Sequence, residues 1–286
     1  MIIRENIVDV EEYRLEEILN NKEVDCKPEE SIYFDLEHYV YKKPKCIGVF
    51  GACVYNKKNK KINVTQYMIE NKSEVVDILL LAKKYFIKMK REGKKVIVTF
   101  AGNNDFTVIK YLFNKYGIYF DFEKEFKSID IQKEYEKDMK ISIGLKNLEK
   151  IFEVYREGDV ISGSNLAKTF HKVLKDKEYI QRMPKEKIET ILLYNEQDVV
   201  NLYKIFINWK NYIKTEEDTK ENDDFDEIKE IKTEQIINEI KEIDNEKNIE
   251  DVKKEQENNA NDNIIIIEDN GQQEENKEID NSETII

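Results

Sequence analysis

Cysteine and histidine are scarce in this sequence of 286 residues, which contains three cysteines and two histidines. Cys26, Cys46 and Cys53 are odd in number and show no Cys-x-x-Cys spacing, which argues against a disulfide scaffold and against a structural zinc site. The sequence also lacks ~18 consecutive apolar residues and a basic N-terminal segment followed by an apolar run. We therefore expect a soluble, cytoplasmic protein that does not associate with membranes.

Aromatic residues and positive charge are depleted in the last quarter of the sequence. Residues 214–286 hold 26 acidic side chains against 9 lysines, and their one aromatic residue is Phe225. Such a composition predicts a disordered, acidic, low-complexity tail. The preceding 213 residues hold 38 basic and 34 acidic side chains. The overall net charge of −13 therefore does not exclude nucleic acid as a partner of the folded part.

The tail has several possible roles. Isoleucines between Ile228 and Ile243 have a loosely helical spacing, which would suit a helix formed on a partner. The run Ile264 to Ile267 could instead add a strand to the sheet of a partner protein. The tail could also cover a basic face as a mimic of nucleic acid, or recruit a basic protein. A simple solubilising tail is the remaining alternative.

Apolar periodicity predicts a mixed α/β fold for the rest of the chain. From Ser31 to Tyr212 the pattern predicts three successive strands, a helix, a strand, a helix, a further strand and then several helices. This order is typical of a three-stranded meander that is extended by parallel strands through helical crossovers and flanked by helices. We predict an N-terminal arm at residues 1–28, a folded domain at 29–213 and the acidic tail at 214–286. A short helix through Val10, Tyr13, Leu15, Ile18 and Leu19 is predicted within the arm, which could also pack on the sheet.

Two acids lie two residues apart in the first predicted strand, SIYFDLE. Asp35 and Glu37 therefore project from the same face of that strand. Spacing alone is weak, because acids are frequent in this chain. Their context is more informative, since Phe34 and Leu36 mark a buried strand, where two carboxylates are costly unless a cation or hydrogen-bond donors compensate them. The segment is therefore a candidate metal site.

Three further residues are candidates for the same site. Tyr194 and Asp198 lie four residues apart in a predicted helix, so they share one helix face. A tyrosine packed in the core beside a surface aspartate would give the same pattern. Asp105 begins another predicted helix, and could be merely its N-cap.

In order along the chain, these blocks resemble the motifs of the DEDD exonuclease superfamily. FDLE is similar to the first motif and supplies Asp35 and Glu37, while TFAGNNDF is similar to the second and supplies Asp105. YNEQD is similar to the tyrosine form of the third motif and supplies Tyr194 and Asp198.

The segment GLKNLEKIFEVYREGDVISG, between the last two motifs, is similar to the linking segment of ribonuclease H-like domains of the YprB type. The matching residues are Leu145, Leu148, Glu149, Arg156, Asp159 and Gly163. The second motif departs from the usual pattern of an asparagine-glycine pair and a phenylalanine before the aspartate. His38 also replaces a threonine found in many relatives. Leu193 occupies the position where the histidine form of the third motif has its histidine.

The resemblance implies a ribonuclease H-like fold and a metal-dependent 3′–5′ exonuclease. Asp35, Glu37, Asp105 and Asp198 would bind two Mg²⁺ or Mn²⁺ ions, and Tyr194 would position the attacking water. The substrate would be the 3′ end of a single strand of DNA or RNA.

Lysines could contact that strand, although no sequence signal selects which ones, and two other functions remain open. Lys168, Lys172 and Lys175 could contact the phosphate backbone. The first alternative is a catalytically impaired ribonuclease H-like module that binds nucleic acid or a protein. The second is an endonuclease or junction-resolving enzyme of the same fold, which would not need the helix with Tyr194 and Asp198.

Overall fold

A computed structural model describes residues 1–21, 23–158 and 161–214. The predictions made for the acidic tail, including its helix and strand segments, fall on residues 215–286, which lie outside the described part of the chain, as does Asp159. Within the described residues, no helix is both long and apolar enough to cross a membrane.

Six strands and eight helices follow one another along the described part of the chain. The strands are β1 (Ile2–Asp9), β2 (Ser31–Tyr41), β3 (Lys43–Asn56), β4 (Lys61–Met68), β5 (Val96–Thr99) and β6 (Lys127–Asp130). The helices are α1 (Val75–Arg91), α2 (Asn103–Lys115), α3 (Phe122–Glu125), α4 (Ile131–Met139), α5 (Leu145–Ile151), α6 (Gly163–Lys175), α7 (Lys185–Ile207) and α8 (Trp209–Tyr212). Short 3-10 helices lie at Pro28–Glu30 and Lys72–Glu74.

All six strands form one mixed sheet in the order β1-β4-β3-β2-β5-β6. β2, β3 and β4 are the antiparallel meander, and β5 and β6 extend it in parallel on the other side of β2. The predicted architecture is therefore confirmed, a mixed sheet flanked by helices. Its strands form where β-branched and aromatic residues suit a pleated surface, and each helical crossover lets the next strand run parallel.

The two faces of the sheet are covered by different helices. Phe34 of β2 packs against Phe86 of α1 and Phe106 of α2, with ring centroids 5.4 and 6.2 Å apart. The neighbouring Asp35 points to the opposite face, where it contacts Asn195 of α7. The strand alternation therefore separates an apolar core on one side from polar residues under α7 on the other.

The prediction of a short helix within residues 10–19 is wrong. The chain instead begins with β1, which pairs in antiparallel register with the otherwise open edge of β4, and residues 10–19 contain no helix. Ile18 and Leu19 are buried, and the Leu19 amide donates to the Phe206 carbonyl at 2.9 Å. Ile18 and Leu19 therefore contact the domain from an irregular chain, whereas Leu15 is exposed. These tertiary contacts outweigh a weak local helical preference. The division of the chain at residues 28 and 213 remains a prediction.

Candidate functional site

The strand β2 carries the two acids of the first motif beyond the end of its parallel neighbour. β5 pairs with β2 only along Ser31 to Tyr33, so Asp35 and Glu37 lie past its carboxyl end. Crevices at the carboxyl ends of parallel strands are common ligand sites in open α/β sheets. Glu37 is only 9% exposed, which makes its charge costly without a compensating group.

The helix α7 crosses this face of the sheet and brings in the third motif. Asp198 is buried, and one oxygen each from Asp35, Glu37 and Asp198 lies within 4.8 Å of the others. Tyr194 lies one turn before Asp198 and lines the same cleft, whose volume is about 360 Å³. Three carboxylates at this separation can bind a hard divalent cation, which prefers oxygen ligands.

Asp105 is buried in the first turn of α2 but lies outside the group of three carboxylates. Asp105 is not the N-cap of the helix, because Gly102 occupies that position. Glycine has no side chain with which to cap the helix. Burial, followed by the charges of Asp35, Asp130 and Asp198, raises the pKa of Asp105 well above its usual range. Asp105 therefore lies close enough to share the electrostatic field of the cleft.

The turn that positions Asp105 is held by an aspartate that the sequence analysis missed. Asp130, at the end of β6, accepts hydrogen bonds from the amides of Ala101 and Gly102 at 3.0 and 3.1 Å. Ala101 adopts a φ of 50°, a conformation that is uncommon for residues other than glycine. A Cβ at Gly102 would lie 2.0 Å from Thr99 Oγ1. The altered second motif thus forms a tightly constrained turn between β5 and α2.

A second set of polar residues missed from the sequence supports Asp35. Asn195 donates from Nδ2 to Asp35 Oδ2 at 3.0 Å, and its Oδ1 accepts from Gln66 Nε2 at 2.9 Å. Both Asn195 and Gln66 are completely buried. A Cβ at Gly51 would lie 2.0 Å from Asn195 Oδ1, so only glycine leaves room for this contact. The available sequence signal was Asn195 itself, a polar residue on a core-facing helix.

Arg156 joins the linking segment to the third motif. Its Nε and Nη2 donate to the buried Glu149 at 2.7 and 2.6 Å, and its guanidinium also forms an ion pair with Asp198. Asn201 Nδ2 donates to the same Glu149 at 2.8 Å. The guanidinium lies over the ring of Tyr194, 5.0 Å from its centroid. One cation therefore contacts both Tyr194 and Asp198 of α7, and Glu149, which itself accepts from Asn201, holds that cation in place.

Lys146 contributes a second positive charge to the cleft. Its ammonium lies 5.1 Å from the centroid of the Tyr194 ring and donates to the Ile161 carbonyl at 3.2 Å. Burial, followed by the charge of Arg156, lowers the pKa of Lys146. His38, by contrast, is half-buried and is not part of the carboxylate group.

The carboxylates of the cleft are held together against their mutual repulsion. Burial raises the pKa of the Asp35 carboxyl to about 6, although the hydrogen bond from Asn195 and the charge of Arg156 oppose the rise. Burial, followed by the charges of Asp35, Asp198 and Asp105, raises the pKa of Glu37 well above its usual range. Burial, followed by the charge of Asp35, raises the pKa of Asp198, although Arg156 opposes the rise. A bound cation would relieve this repulsion.

We expect the metal-free protein to lose stability as the pH rises from about 4 to 8. The pKa of Asp35 is higher in the folded state than in the unfolded chain, so its protonated form favours folding at low pH, and this contribution is lost as the pH rises through about 6. Asp35→Asn should flatten the decline and raise the melting temperature at pH 8. The measurement is thermal unfolding in EDTA and in Mn²⁺ across this pH range.

The matched control for that experiment is Asp77→Asn, an exposed acid of α1 outside the cleft. It should retain the pH dependence of the wild type. Mn²⁺ should stabilise the wild type and the control at pH 8, because an ion that binds only the folded state favours folding. If the stability of Asp35→Asn declined with pH as steeply as that of the wild type, ionisation of Asp35 would not be the cause of the decline.

Comparisons with known proteins agree with this geometry. The family model RNase_H_2, described as RNase_H superfamily, matches residues 32–210, a range that includes all four acids and Tyr194. No curated protein matches the sequence. Since the family model covers more than half of the sequence and the fold is a mixed sheet with an acidic cluster that can bind metal, the chain belongs to the RNase H superfamily.

Proposed function

We propose that this protein is a 3′–5′ exonuclease that hydrolyses the terminal phosphodiester bond of a nucleic acid strand with two bound Mg²⁺ or Mn²⁺ ions. The observation that carries the proposal is the group formed by Asp35, Glu37 and Asp198, with Tyr194 one helical turn before Asp198 in the same cleft. Membership of the superfamily supports a nucleic acid substrate. The volume of the cleft is within the range of small-molecule sites, which suits a terminal nucleotide.

The proposed roles follow from the contacts of each side chain. Asp35, Glu37 and Asp198 bind metal, and Asp105 completes the set of ligands from α2. The ions would activate a water molecule and stabilise the departing oxygen. Burial and the charge of Asp198 raise the pKa of Tyr194 above its usual range. Its hydroxyl therefore stays protonated at neutral pH and orients the water rather than acting as a base.

The test is degradation of single-stranded DNA and RNA oligonucleotides labelled at the 5′ end, with Mg²⁺ or Mn²⁺. A ladder that shortens from the 3′ end and requires metal would support the proposal and identify the preferred nucleic acid. A circular single strand is the matched control substrate, because it has no 3′ end. Cleavage of the circle would favour an endonuclease instead. Tyr194→Phe should retain metal binding but lower kcat by ~10- to 100-fold, because the attacking water is no longer positioned.

A second candidate function is a ribonuclease H-like module that binds nucleic acid or a protein without hydrolysis. The observation that favours it is the position of Asp105, outside the group of three carboxylates. Asp198 is also paired with Arg156, which competes with metal for that carboxylate. Titration with Mn²⁺ separates the two functions. Two bound ions in the presence of an oligonucleotide favour the exonuclease, whereas one ion or none, together with intact substrate, favours the binding module.

A further inference from the structure

Acidic residues are absent from residues 38–69 and from residues 161–175, although acids outnumber basic residues, 60 to 47, in the whole sequence. The first stretch opens with residues 38–48, which form the end of β2, the hairpin turn and the start of β3, and it continues through β3 and β4. The second is residues 161–175, which include α6. Residues 78–91 and 106–120 also lack acids, so the sequence pattern alone does not single out one surface. The case for a positively charged surface rests on where the fold places the lysines of the hairpin and of α6.

The fold places these two segments against each other. α6 packs on β2, with the ring of Tyr39 and the ring of His171 5.1 Å apart at their centroids. Gly48 allows Phe170 to approach β3, since a Cβ there would lie 2.2 Å from the Phe170 ring. We call the resulting surface the hairpin–helix surface. Its members are Tyr41, Lys42, Lys43 and Lys45 of the hairpin, and Lys168, His171, Lys172 and Lys175 of α6.

The lysines of the hairpin–helix surface have no acidic partner in the described part of the chain. None of its six lysines forms a salt bridge with another described residue. Pairing varies on the other surfaces: Lys57, Lys60 and Lys95 each pair with a glutamate, whereas the separate Lys58 and Lys84 have no salt bridge within the described residues. Unpaired lysines that are clustered in this way favour a polyanion, because binding releases the counterions of the polyanion.

An exposed aromatic ring lies among these cations. Tyr41 is 59% exposed, and the ammonium groups of Lys42 and Lys45 lie 5.8 and 5.9 Å from its ring centroid. Lys42 has a φ of 59°, a position where glycine or asparagine is less strained. An exposed ring flanked by cations can stack on a base while the cations contact the neighbouring phosphates. Stacking requires an unpaired base, so this chemistry suits a single strand better than a duplex or an acidic peptide.

The hairpin–helix surface is continuous with the cleft. β2 runs directly from Glu37 to Tyr41, four residues that span ~13 Å of extended strand. α6 begins beside the cleft, because Lys146, which lines the cleft, donates to the carbonyl of Ile161 two residues before the helix. A strand whose 3′ end occupies the cleft therefore meets the surface within a few nucleotides.

We propose that the hairpin–helix surface binds the single-stranded nucleic acid on the 5′ side of the scissile bond, with Tyr41 stacking on a base and the lysines contacting phosphates. This inference rests on the proposed exonuclease function, which it extends by assigning a path to the substrate. Hydrolysis of a dinucleotide needs the cleft alone, whereas tight binding of a longer strand needs the surface as well.

The test compares binding of oligonucleotides of ~12 nucleotides, in EDTA to prevent hydrolysis, across a range of salt concentrations. The variants are the pair Lys42→Gln and Lys45→Gln, the pair Lys168→Gln and Lys172→Gln, and Tyr41→Ala. Each lysine pair should reduce the slope of log K against log salt by ~1.4, since each lost phosphate contact contributes ~0.7 for a single strand. Tyr41→Ala should weaken binding ~10-fold with little change in slope. The rate of dinucleotide hydrolysis should stay that of the wild type in all three.

The matched control is the pair Lys58→Gln and Lys84→Gln, two exposed lysines outside the hairpin–helix surface that have no salt bridge within the described residues. Thermal unfolding verifies that each variant is folded. Surface variants that match this control would overturn the proposal and leave the exonuclease intact. Loss of binding in the surface variants of a protein without hydrolytic activity would support the surface and refute the exonuclease. Binding of polyglutamate or of a duplex in preference to the single strand would overturn the proposal.

Discussion

Asp198→Asn is expected to lower the rate of metal-dependent hydrolysis by at least ~100-fold. Loss of a residue that only supports a metal ligand costs up to ~100-fold, and loss of a proposed ligand should cost at least as much. Asp198 shares the cluster with Asp35 and Glu37, so in the proposed metal site its charge would help to hold the cation between α7 and β2. Asparagine retains the shape of the side chain and can still accept a hydrogen bond from Arg156. The fold should therefore be retained. The measurements are kcat/KM on a single strand, Mn²⁺ affinity by calorimetry and thermal unfolding.

Glu196→Gln is the matched control, because Glu196 lies on the same helix and undergoes the same isosteric change. Its carboxylate accepts hydrogen bonds from Asn6 of β1 and is not part of the metal cluster. We expect activity close to that of the wild type. Near-normal hydrolysis by Asp198→Asn would refute the metal site as described, whereas equal losses in both variants would point to disruption of α7.

Arg156→Ala is expected to destabilise the protein by ~3–5 kcal/mol, the usual cost of breaking a buried ion pair by removing one partner. The side chain of Arg156 is 10% exposed and those of Glu149 and Asp198 are 3% and 7% exposed. Its removal leaves Glu149 with the single donor from Asn201 and leaves Asp198 without its cation. Two buried carboxylates would then lack the positive charge that compensates them. Urea unfolding of the metal-free protein measures the loss.

Arg182→Ala is the matched control for that loss. Arg182 also contacts two acids, Asp176 and Glu178, but its side chain is 57% exposed, so we expect a change of only ~0–1 kcal/mol. Arg156→Lys should retain part of the stability but lower kcat with little change in KM, because lysine cannot reproduce the bidentate contact or the stacking on Tyr194. A loss below ~1 kcal/mol for Arg156→Ala would show that this ion network contributes little.

Most of the sheet and its covering helices could be predicted because their signals are local. The segments 31–37, 46–55 and 62–70 match β2, β3 and β4, and the apolar spacing from Val75 to Met89 matches α1. Alternation with a period of two, or spacing near 3.6, follows from backbone geometry and is visible in a short window. β1 was missed because its partner is the edge of β4, about 60 residues away, and a short window carries no sign of that pairing.

The sequence by itself determined which side chains share a face. Asp35 and Glu37 lie two residues apart on a strand, and Tyr194 and Asp198 lie four apart on a helix, so local geometry aligns each pair. The tertiary structure alone decided how those faces meet. It brings Asn195 to Asp35 across 160 residues and Arg156 to Asp198 across 42, and it leaves Asp105 beside the cluster rather than within it. Such contacts depend on which elements pack together, because packing is a property of the whole core and not of any local period.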